Sequence, residues 1–169
     1  YSVHSFSDAL AQGYLPLEGG HRLGVCGTAV LQSGVMTGIR VISSLNLRIA
    51  RPQSGVADAI LQQLLDGSTV HSTLILSPPG FGKTTVLRDL IYQLSERGFR
   101  VGVADERGEL AAMRDGVPQF PVGAQTDVLD GCSKAVGALL LLKTMSPSVI
   151  ALDEVTAPAD VDAIAFAGH

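Results

Sequence analysis

The stretch "SPPGFGKTT" at residues 77–85 contains the residue types that hold a phosphate chain. Gly80 and Gly82 allow backbone conformations closed to residues with a Cβ, so main-chain N–H groups can point at a phosphate oxygen. Lys83 supplies a positive charge for the β- and γ-phosphates, and Thr84 offers a hydroxyl group to Mg²⁺. The stretch therefore predicts a nucleotide-binding loop.

The loop departs from the usual pattern G-x-x-x-x-G-K-[ST] because Ser77 stands at the first position. Serine is small, so we expect the loop to leave the preceding strand without a steric clash. A glycine turn followed by a chance Lys-Thr pair is the alternative interpretation, and the apolar patterns on both sides of the loop count against it. The residues predicted to bind ATP are Ser77, Pro78, Pro79, Gly80, Phe81, Gly82, Lys83, Thr84 and Thr85.

A second group of chemically capable residues ends the apolar run "VIALDE" at 149–154. The four apolar residues predict a buried strand, and the two carboxylates follow it directly. Asp153 is predicted to hold Mg²⁺ together with Thr84, and Glu154 to polarise the attacking water. An apolar run that ends in Asp-Glu is a weak signal alone. Together with the phosphate loop it predicts a site that hydrolyses a nucleotide.

A third cluster of charged side chains follows the strand predicted over residues 100–105. Its members are Asp105, Glu106, Arg107 and Glu109. Ligands of parallel α/β sheets bind at the carboxyl ends of the strands, so this cluster is a candidate part of the site. A solvated charged loop is an equally good interpretation. The predicted catalytic set is Glu154, Glu106 and Lys83, and the choice of the main base between the two glutamates stays open.

From residue 53 onward, strands alternate with helices, which predicts a mainly parallel sheet with helical crossovers. The predicted elements are a helix between a Ser54 cap and Gly67, a buried strand at 73–77, a helix ending near Gly98, strands at 100–105 and 148–154, mostly loop over 108–133, and helices at 134–145 and 159–166. The strand at 100–105 is expected to lie beside the strand that precedes the phosphate loop.

The first third of the chain has a different pattern of apolar and turn-forming residues. Residues 1–13 are interpreted as a helix end or a loose entry. Between 14 and 50, short apolar runs broken by glycine and serine predict an antiparallel meander of three or four strands. Pro52 marks a boundary. We therefore expect a small β-rich N-terminal domain over 1–52 and a P-loop ATPase core over 53–169.

Composition limits the partners of the chain. Of 169 residues, 46% are apolar and 17% charged, which is typical of a globular protein. The net charge of −4 speaks against a nucleic-acid partner. The longest apolar run, at 135–142, is too short to cross a bilayer.

The first residue is not Met and the last lies within an apolar-periodic segment, so we expect a fragment whose core is truncated at its C-terminal end.

Several segments, taken in chain order, resemble the sequences of a known protein family. "GGHRLGVCGTAV", "LILSPPGFGKTTVLRDL", "VGVADERGELA" and "LKTMSPSVIALDE" resemble the stage III sporulation protein AA family, ATPases related to type II and type IV secretion and pilus motors. The resemblance implies a RecA-like core that uses ATP and Mg²⁺, with Asp153 and Glu154 as the Walker B pair. It places Asp105–Arg107 and Glu109 where secretion motors keep an acidic box.

The resemblance also implies a cellular role. It predicts a hexameric ring that powers a membrane channel complex from the cytoplasmic side, at the inner face of the membrane. The chain departs from the family's usual pattern in "DEVTA" at 153–157, where "DEIGR" is usual, and at Gln125, where arginine is usual. Two alternatives remain: an ATPase directed by nucleic acid, and a nucleotide-binding scaffold with little hydrolysis.

Overall fold

The structure is a computed structural model that describes residue 10 and residues 13–168. Of the predicted helix end or loose entry at 1–13, only residues 10 and 13 are among the described residues. The protein is a mixed α/β chain with a small antiparallel sheet and a three-stranded parallel sheet. Its contacts divide it into two compact units between Arg51 and Pro52, and each unit is described by itself.

The N-terminal unit is an antiparallel meander, as the glycine-broken apolar runs predict. Its strands are β1 (Tyr14–Pro16), β2 (Arg22–Gln32) and β3 (Val35–Arg48), in the order β1-β2-β3. Ser33 and Gly34 form the two-residue turn between β2 and β3, both with positive φ. Tight hairpins favour this turn because its twist matches that of the flanking strands.

The second unit carries the parallel sheet. Its elements in chain order are α1 (Asp58–Leu64), β4 (Leu65–Asp66), β5 (Thr69–Val70), α2 (Lys83–Glu96), β6 (Val101–Asp105), β7 (Thr126–Asp130), α3 (Lys134–Met145), β8 (Val149–Leu152) and α4 (Pro158–Ala167). The sheet order is β7-β6-β8, with all strands parallel, and β4 and β5 form a separate two-stranded hairpin. Among the described residues, no helix is long and apolar enough to span a membrane.

The core of this unit lies around the central strand β6. All five residues of β6 are buried because strands pair with both of its edges and helices pack against it. From α2, the side chains of Leu90, Ile91 and Leu94 enter the core, at the three- and four-residue spacing that brings helical residues to one face. Burying each such side chain contributes roughly 1.5–3 kcal/mol. This packing fixes the first turn of α2, where the phosphate loop ends.

Helix α3 crosses the sheet at close range. An ideal Cβ added to Gly137 would lie 2.9 Å from the Cβ of Ala104 in β6, closer than real Cβ atoms approach other atoms. Only glycine therefore permits this contact without a shift of the helix. The close crossing brings the first residue of α3, Lys134, against the carboxyl end of β6.

Several predicted elements were wrong. Residues 73–77 form no strand: Leu74 and Leu76 are 68% and 81% exposed, so the apolar run does not mark a strand buried on both faces. As a result, β6 does not pair with this segment but lies between β7 and β8. Strand β7 forms within the stretch expected to be mostly loop. Helix α1 begins after Ala57, not after Ser54, and ends at Leu64 rather than Gly67.

Candidate functional site

The phosphate loop reaches α2 through two glycines in the left-handed region. Gly80 has φ of +80° and Gly82 has φ of +85°. An ideal Cβ at either position would meet no atom within 4 Å, so backbone conformation, not lack of space, requires glycine at these two points. The loop backbone thus takes a path that the sequence pattern predicts and that other residues adopt only with strain.

Helix α2 presents its N-terminus to this loop. Gly82 is the N-cap residue and supplies no side-chain hydrogen bond to the first turn. The first N–H groups of a helix have no intrahelical partner, and the helix dipole makes this end positive, which suits an anion. The Lys83 ammonium group donates to the carbonyl oxygens of Ser77 at 2.9 Å and Pro78 at 3.1 Å. The positive charge of Lys83 therefore lies beside the loop that is predicted to bind the phosphates.

Thr84 and Asp153 meet across 69 positions of sequence. The Thr84 hydroxyl group donates to Oδ2 of Asp153 at 3.0 Å, because α2 begins and β8 ends at the same place in the unit. Burial raises the pKa of Asp153, and the hydrogen bond from Thr84 opposes that rise. A hydroxyl oxygen and a carboxylate oxygen side by side are the hard ligands that Mg²⁺ takes beside phosphate oxygens.

A small, open cavity lies beside this pair, at the carboxyl ends of β6 and β8. Its lining is strongly charged: five carboxylates and two cations face it, namely Asp105, Glu106, Glu109, Asp153, Glu154, Arg107 and Lys134. Within the described part of the chain, no three His, Cys, Asp or Glu side chains converge to hold a metal ion.

Glu154 is held by Arg107. The guanidinium group of Arg107 lies 2.5 Å from Oε2 of Glu154, and both side chains are largely exposed, at 58% and 43%. Such exposed pairs contribute little to stability. Glu154 also has φ of +48°, a left-handed conformation that costs a residue with a Cβ of order 1 kcal/mol. Five other non-glycine residues of the described chain share this conformation, so the backbone at Glu154 does not by itself assign a role to the side chain.

Glu106 is paired more deeply, with Lys134. The lysine side chain is only 4% exposed, and its ammonium group lies 2.5 Å from Oε2 of Glu106. The hydrogen bond from Lys134 lowers the pKa of Glu106 below its usual value, against the effect of burial. Sequence reasoning missed Lys134. The signal was present, since a lysine at the first position of a helix opposes the helix dipole and needs an acidic partner.

The Glu106–Lys134 pair predicts a pH-dependent contribution to stability. Because the pKa of Glu106 is lower in the folded chain than the usual 4.5, the pair stabilises the fold above that pH and loses its effect as the pH falls further. Chemical denaturation should therefore show Glu106→Gln less stable than the parent chain near pH ~7, with the difference shrinking toward pH ~3. Glu96→Gln, an exposed change on α2, is the control for the loss of one negative charge. A constant difference across this range would contradict the pairing.

Asp105 has a structural task in this cluster. It is 2% exposed, and its carboxylate accepts the backbone N–H groups of Glu109 at 2.8 Å, Leu110 at 3.1 Å and Ala111 at 2.8 Å. These bonds fold the segment after β6 back onto the end of the strand. Asp105 thereby fixes the positions of Glu106 and Arg107, which lie between it and the N–H groups that it binds.

The fold should be sensitive to Asp105. In Asp105→Asn, one carboxylate oxygen becomes an NH₂ group that faces backbone donors, so at least one buried N–H group loses its acceptor. We expect the free energy of unfolding to fall by about 2 kcal/mol or more, measured by urea denaturation. Asp127→Asn, an exposed change on β7, is the matched control. Equal stability of the two variants would contradict the structural task of Asp105.

The predicted site residues thus fall into separate groups. Thr84, Asp153, Glu154 and Glu106 lie around the charged cavity or contact its lining. Lys83 contacts the loop, and Ser77, Pro78, Pro79, Gly80 and Phe81 are exposed on it. Thr85 lines a different groove, on one side of α2.

Comparisons with known proteins show which family the chain belongs to. The family model "Sporulation stage III, protein AA" matches residues 1–169. Stage III sporulation protein AA of Bacillus subtilis (strain 168) is 41% identical over 175 residues, which cover 100% of this chain and 56% of that protein. The chain thus spans little more than half the length of this relative. No solved structure matches the chain. The resemblance found in the sequence is confirmed, and the chain belongs to the sporulation stage III protein AA family.

Proposed function

We propose that the chain binds ATP with Mg²⁺ and hydrolyses it to ADP and phosphate, on a RecA-like P-loop core. The observation that carries the proposal is the 3.0 Å contact between Thr84 and Asp153. Two residues chosen from separate motifs as ligands of one ion have their oxygens side by side. If they lay far apart, no shared ion would be feasible and the proposal would fail.

Each residue has a distinct role in this proposal. The main-chain N–H groups around Gly82 and the Lys83 ammonium group bind the phosphates. Thr84 and Asp153 hold Mg²⁺, which neutralises charge on the β- and γ-phosphates when it is bound. Glu154 orients the attacking water and accepts its proton, once its contact with Arg107 is released.

Glu154 is a better base than Glu106, the other glutamate proposed for that role. Glu106 is held by a buried lysine that lowers its pKa and occupies one of its oxygens. A carboxylate of lowered pKa is a weaker proton acceptor. Glu154 is paired with a largely exposed arginine, so its release costs less. The geometry thus favours Glu154 over Glu106.

The cellular part of the proposal rests on family membership. We propose a hexameric ring that acts from the cytoplasmic side, at the inner face of the membrane, and drives a channel complex during sporulation. The name of the family supports the link to sporulation. Motor activity, ring and channel are supported by the order of the motifs and by the resemblance to secretion motors.

The test of ATPase activity is phosphate release from ATP by the purified chain, with and without Mg²⁺. We expect release that depends on Mg²⁺ and is lost when EDTA removes the ion, because Mg²⁺ is proposed to bind between Thr84, Asp153 and the phosphate oxygens of ATP. Binding of ATP without any turnover would favour the second candidate, a nucleotide-binding scaffold. The Arg107–Glu154 contact supports that candidate, because it engages the proposed base. Stimulation of turnover by DNA or RNA would instead favour the nucleic-acid-directed ATPase, against which the net charge of −4 speaks.

A further inference from the structure

A shallow, open groove runs along one side of α2, in the second unit and outside the charged cavity. We call it the α2 groove. Its floor is formed by Thr85, Asp89 and Tyr92, which the helical repeat brings to one face, and its walls include Pro52 and Phe120. Two aromatic rings and a proline around a few polar groups are typical of a site for a flat organic ligand. None of the proposed catalytic residues lies in it.

The α2 groove begins where the phosphate loop ends. Thr85, at its upper end, directly follows Thr84, the proposed Mg²⁺ ligand. From Thr85 to Tyr92, α2 rises about 10 Å, comparable to the length of a nucleoside. A nucleotide whose phosphates lie at the N-terminus of α2 can therefore place its base in this groove.

The carboxylate of Asp89, which lines the groove, has one oxygen atom without a hydrogen-bond donor from the described residues. The residue is 4% exposed, and its Oδ2 accepts from the Ala57 N–H group at 2.8 Å and from the Gln93 amide at 3.0 Å. Its Oδ1 has no hydrogen-bond partner among the described residues. No buried side-chain oxygen or nitrogen atom in that part of the chain is unsatisfied, so this Oδ1 must be reachable by solvent, and Asp89 lines the groove. A nine-tenths buried carboxylate with one accessible oxygen calls for an N–H donor.

The walls of the groove are held in place. The guanidinium group of Arg88 lies 4.4 Å from the centre of the Phe120 ring and its Nε donates to the carbonyl oxygen of Glu109 at 2.6 Å. Phe120 is only 5% exposed, so its ring is fixed by packing. Tyr92 is half-buried on the helix. Tyr92 and Phe120 both line the groove, and an aromatic side chain at such a site can stack against a planar ring.

We propose that the α2 groove binds the purine base of the nucleotide, with the ring against Tyr92 and an exocyclic amine donating to Asp89. The inference rests on the proposed function, because it places the base of the nucleotide whose phosphates the loop binds. It goes further in assigning base recognition to residues that belong to neither nucleotide motif. Adenine carries this amine on C6 and guanine on C2, so the two bases would present it to Asp89 in different orientations.

The experiment measures affinities of the whole chain for four ligands: ATP, GTP, purine riboside triphosphate, which lacks the exocyclic amine, and inorganic tripolyphosphate. We expect ATP or GTP to bind roughly tenfold more tightly than purine riboside triphosphate, since a hydrogen bond to a charged group is lost without the amine. In Asp89→Asn this preference should disappear, while affinity for tripolyphosphate stays unchanged. Glu96→Gln, the same chemical change on the exposed side of α2, should leave all four affinities unchanged.

A second pair of variants keeps the test decisive if Asp89→Asn fails to fold, since Asp89 also binds the Ala57 N–H group. Tyr92→Ala should weaken binding of all three nucleoside triphosphates about tenfold and leave tripolyphosphate unaffected, whereas Tyr92→Phe should bind like the parent chain. Nucleotide affinities unchanged in Tyr92→Ala, or an ATP preference retained in Asp89→Asn, would overturn the assignment of the groove. Failure of Lys83→Ala to weaken tripolyphosphate binding would instead overturn the phosphate site itself.

Discussion

Lys83→Ala should lose ATP affinity by roughly 100-fold, because the proposed function assigns to this lysine the charge-assisted hydrogen bonds to the β- and γ-phosphates. In the structure, its ammonium group lies over the loop and contacts the carbonyl oxygens of Ser77 and Pro78. No other lysine lies within the loop at 77–85 to replace it. Titration with ATP and Mg²⁺, followed by calorimetry or by a fluorescent nucleotide, measures the loss.

Lys143→Ala is the matched control for this prediction. Lys143 is exposed in the last turn of α3, so its removal changes the net charge equally without altering the loop. The control should bind ATP like the parent chain, and both variants should retain cooperative thermal unfolding. Equal ATP affinity of the two variants would contradict the proposal that the phosphate loop binds ATP.

Local patterns in the sequence were sufficient for most of the helices and for β6 and β8. Helix α3 begins at Lys134 and ends at Met145, as its apolar repeat predicts, and α2 presents Leu90, Ile91 and Leu94 to the core. These features depend on residues three or four apart, which one stretch of sequence contains in full.

Strand pairing was harder to predict because it depends on a partner distant in sequence. The run at 73–77 has the composition of a buried strand, yet Leu74 and Leu76 are exposed and no sheet includes the segment. Conversely, β7 lies in a stretch rich in turn residues and forms because β6 offers it a parallel edge. Apolar composition predicts that a residue tends to be buried, and it says nothing of which strand will supply the hydrogen bonds.

The same distinction applies to the site. Thr84 and Asp153 were chosen from motifs, and the structure brings them together. The tasks of Asp105 and Lys134 could not be read from motifs, because each depends on a contact made by the folded chain: Asp105 with the backbone of the following loop, and Lys134 with Glu106. Charge at the ends of the strands therefore predicted which side chains would lie around one cavity, and it did not predict the contact that each carboxylate makes.

Glu154→Gln should bind ATP as the parent chain does and release phosphate roughly 100-fold more slowly. Glutamine keeps the shape and the hydrogen-bonding oxygen of the side chain but does not accept the proton of the attacking water. Affinity for ATP should persist, since Glu154 contacts Arg107 and not the loop. Pre-steady-state phosphate release with ATP in excess measures the rate, and an equilibrium titration on the same sample measures the affinity.

Glu106→Gln is the matched control, because it makes the same change in the other glutamate of the cavity. Its turnover should stay within a few-fold of the parent rate, since Lys134 already holds Glu106 as a charge partner and leaves it a poor base. The opposite result, with turnover lost in Glu106→Gln and kept in Glu154→Gln, would exchange the two roles. It would then follow that nucleotide binding must separate Glu106 from Lys134, and that the strained backbone at Glu154 serves the contact with Arg107 and not the chemistry.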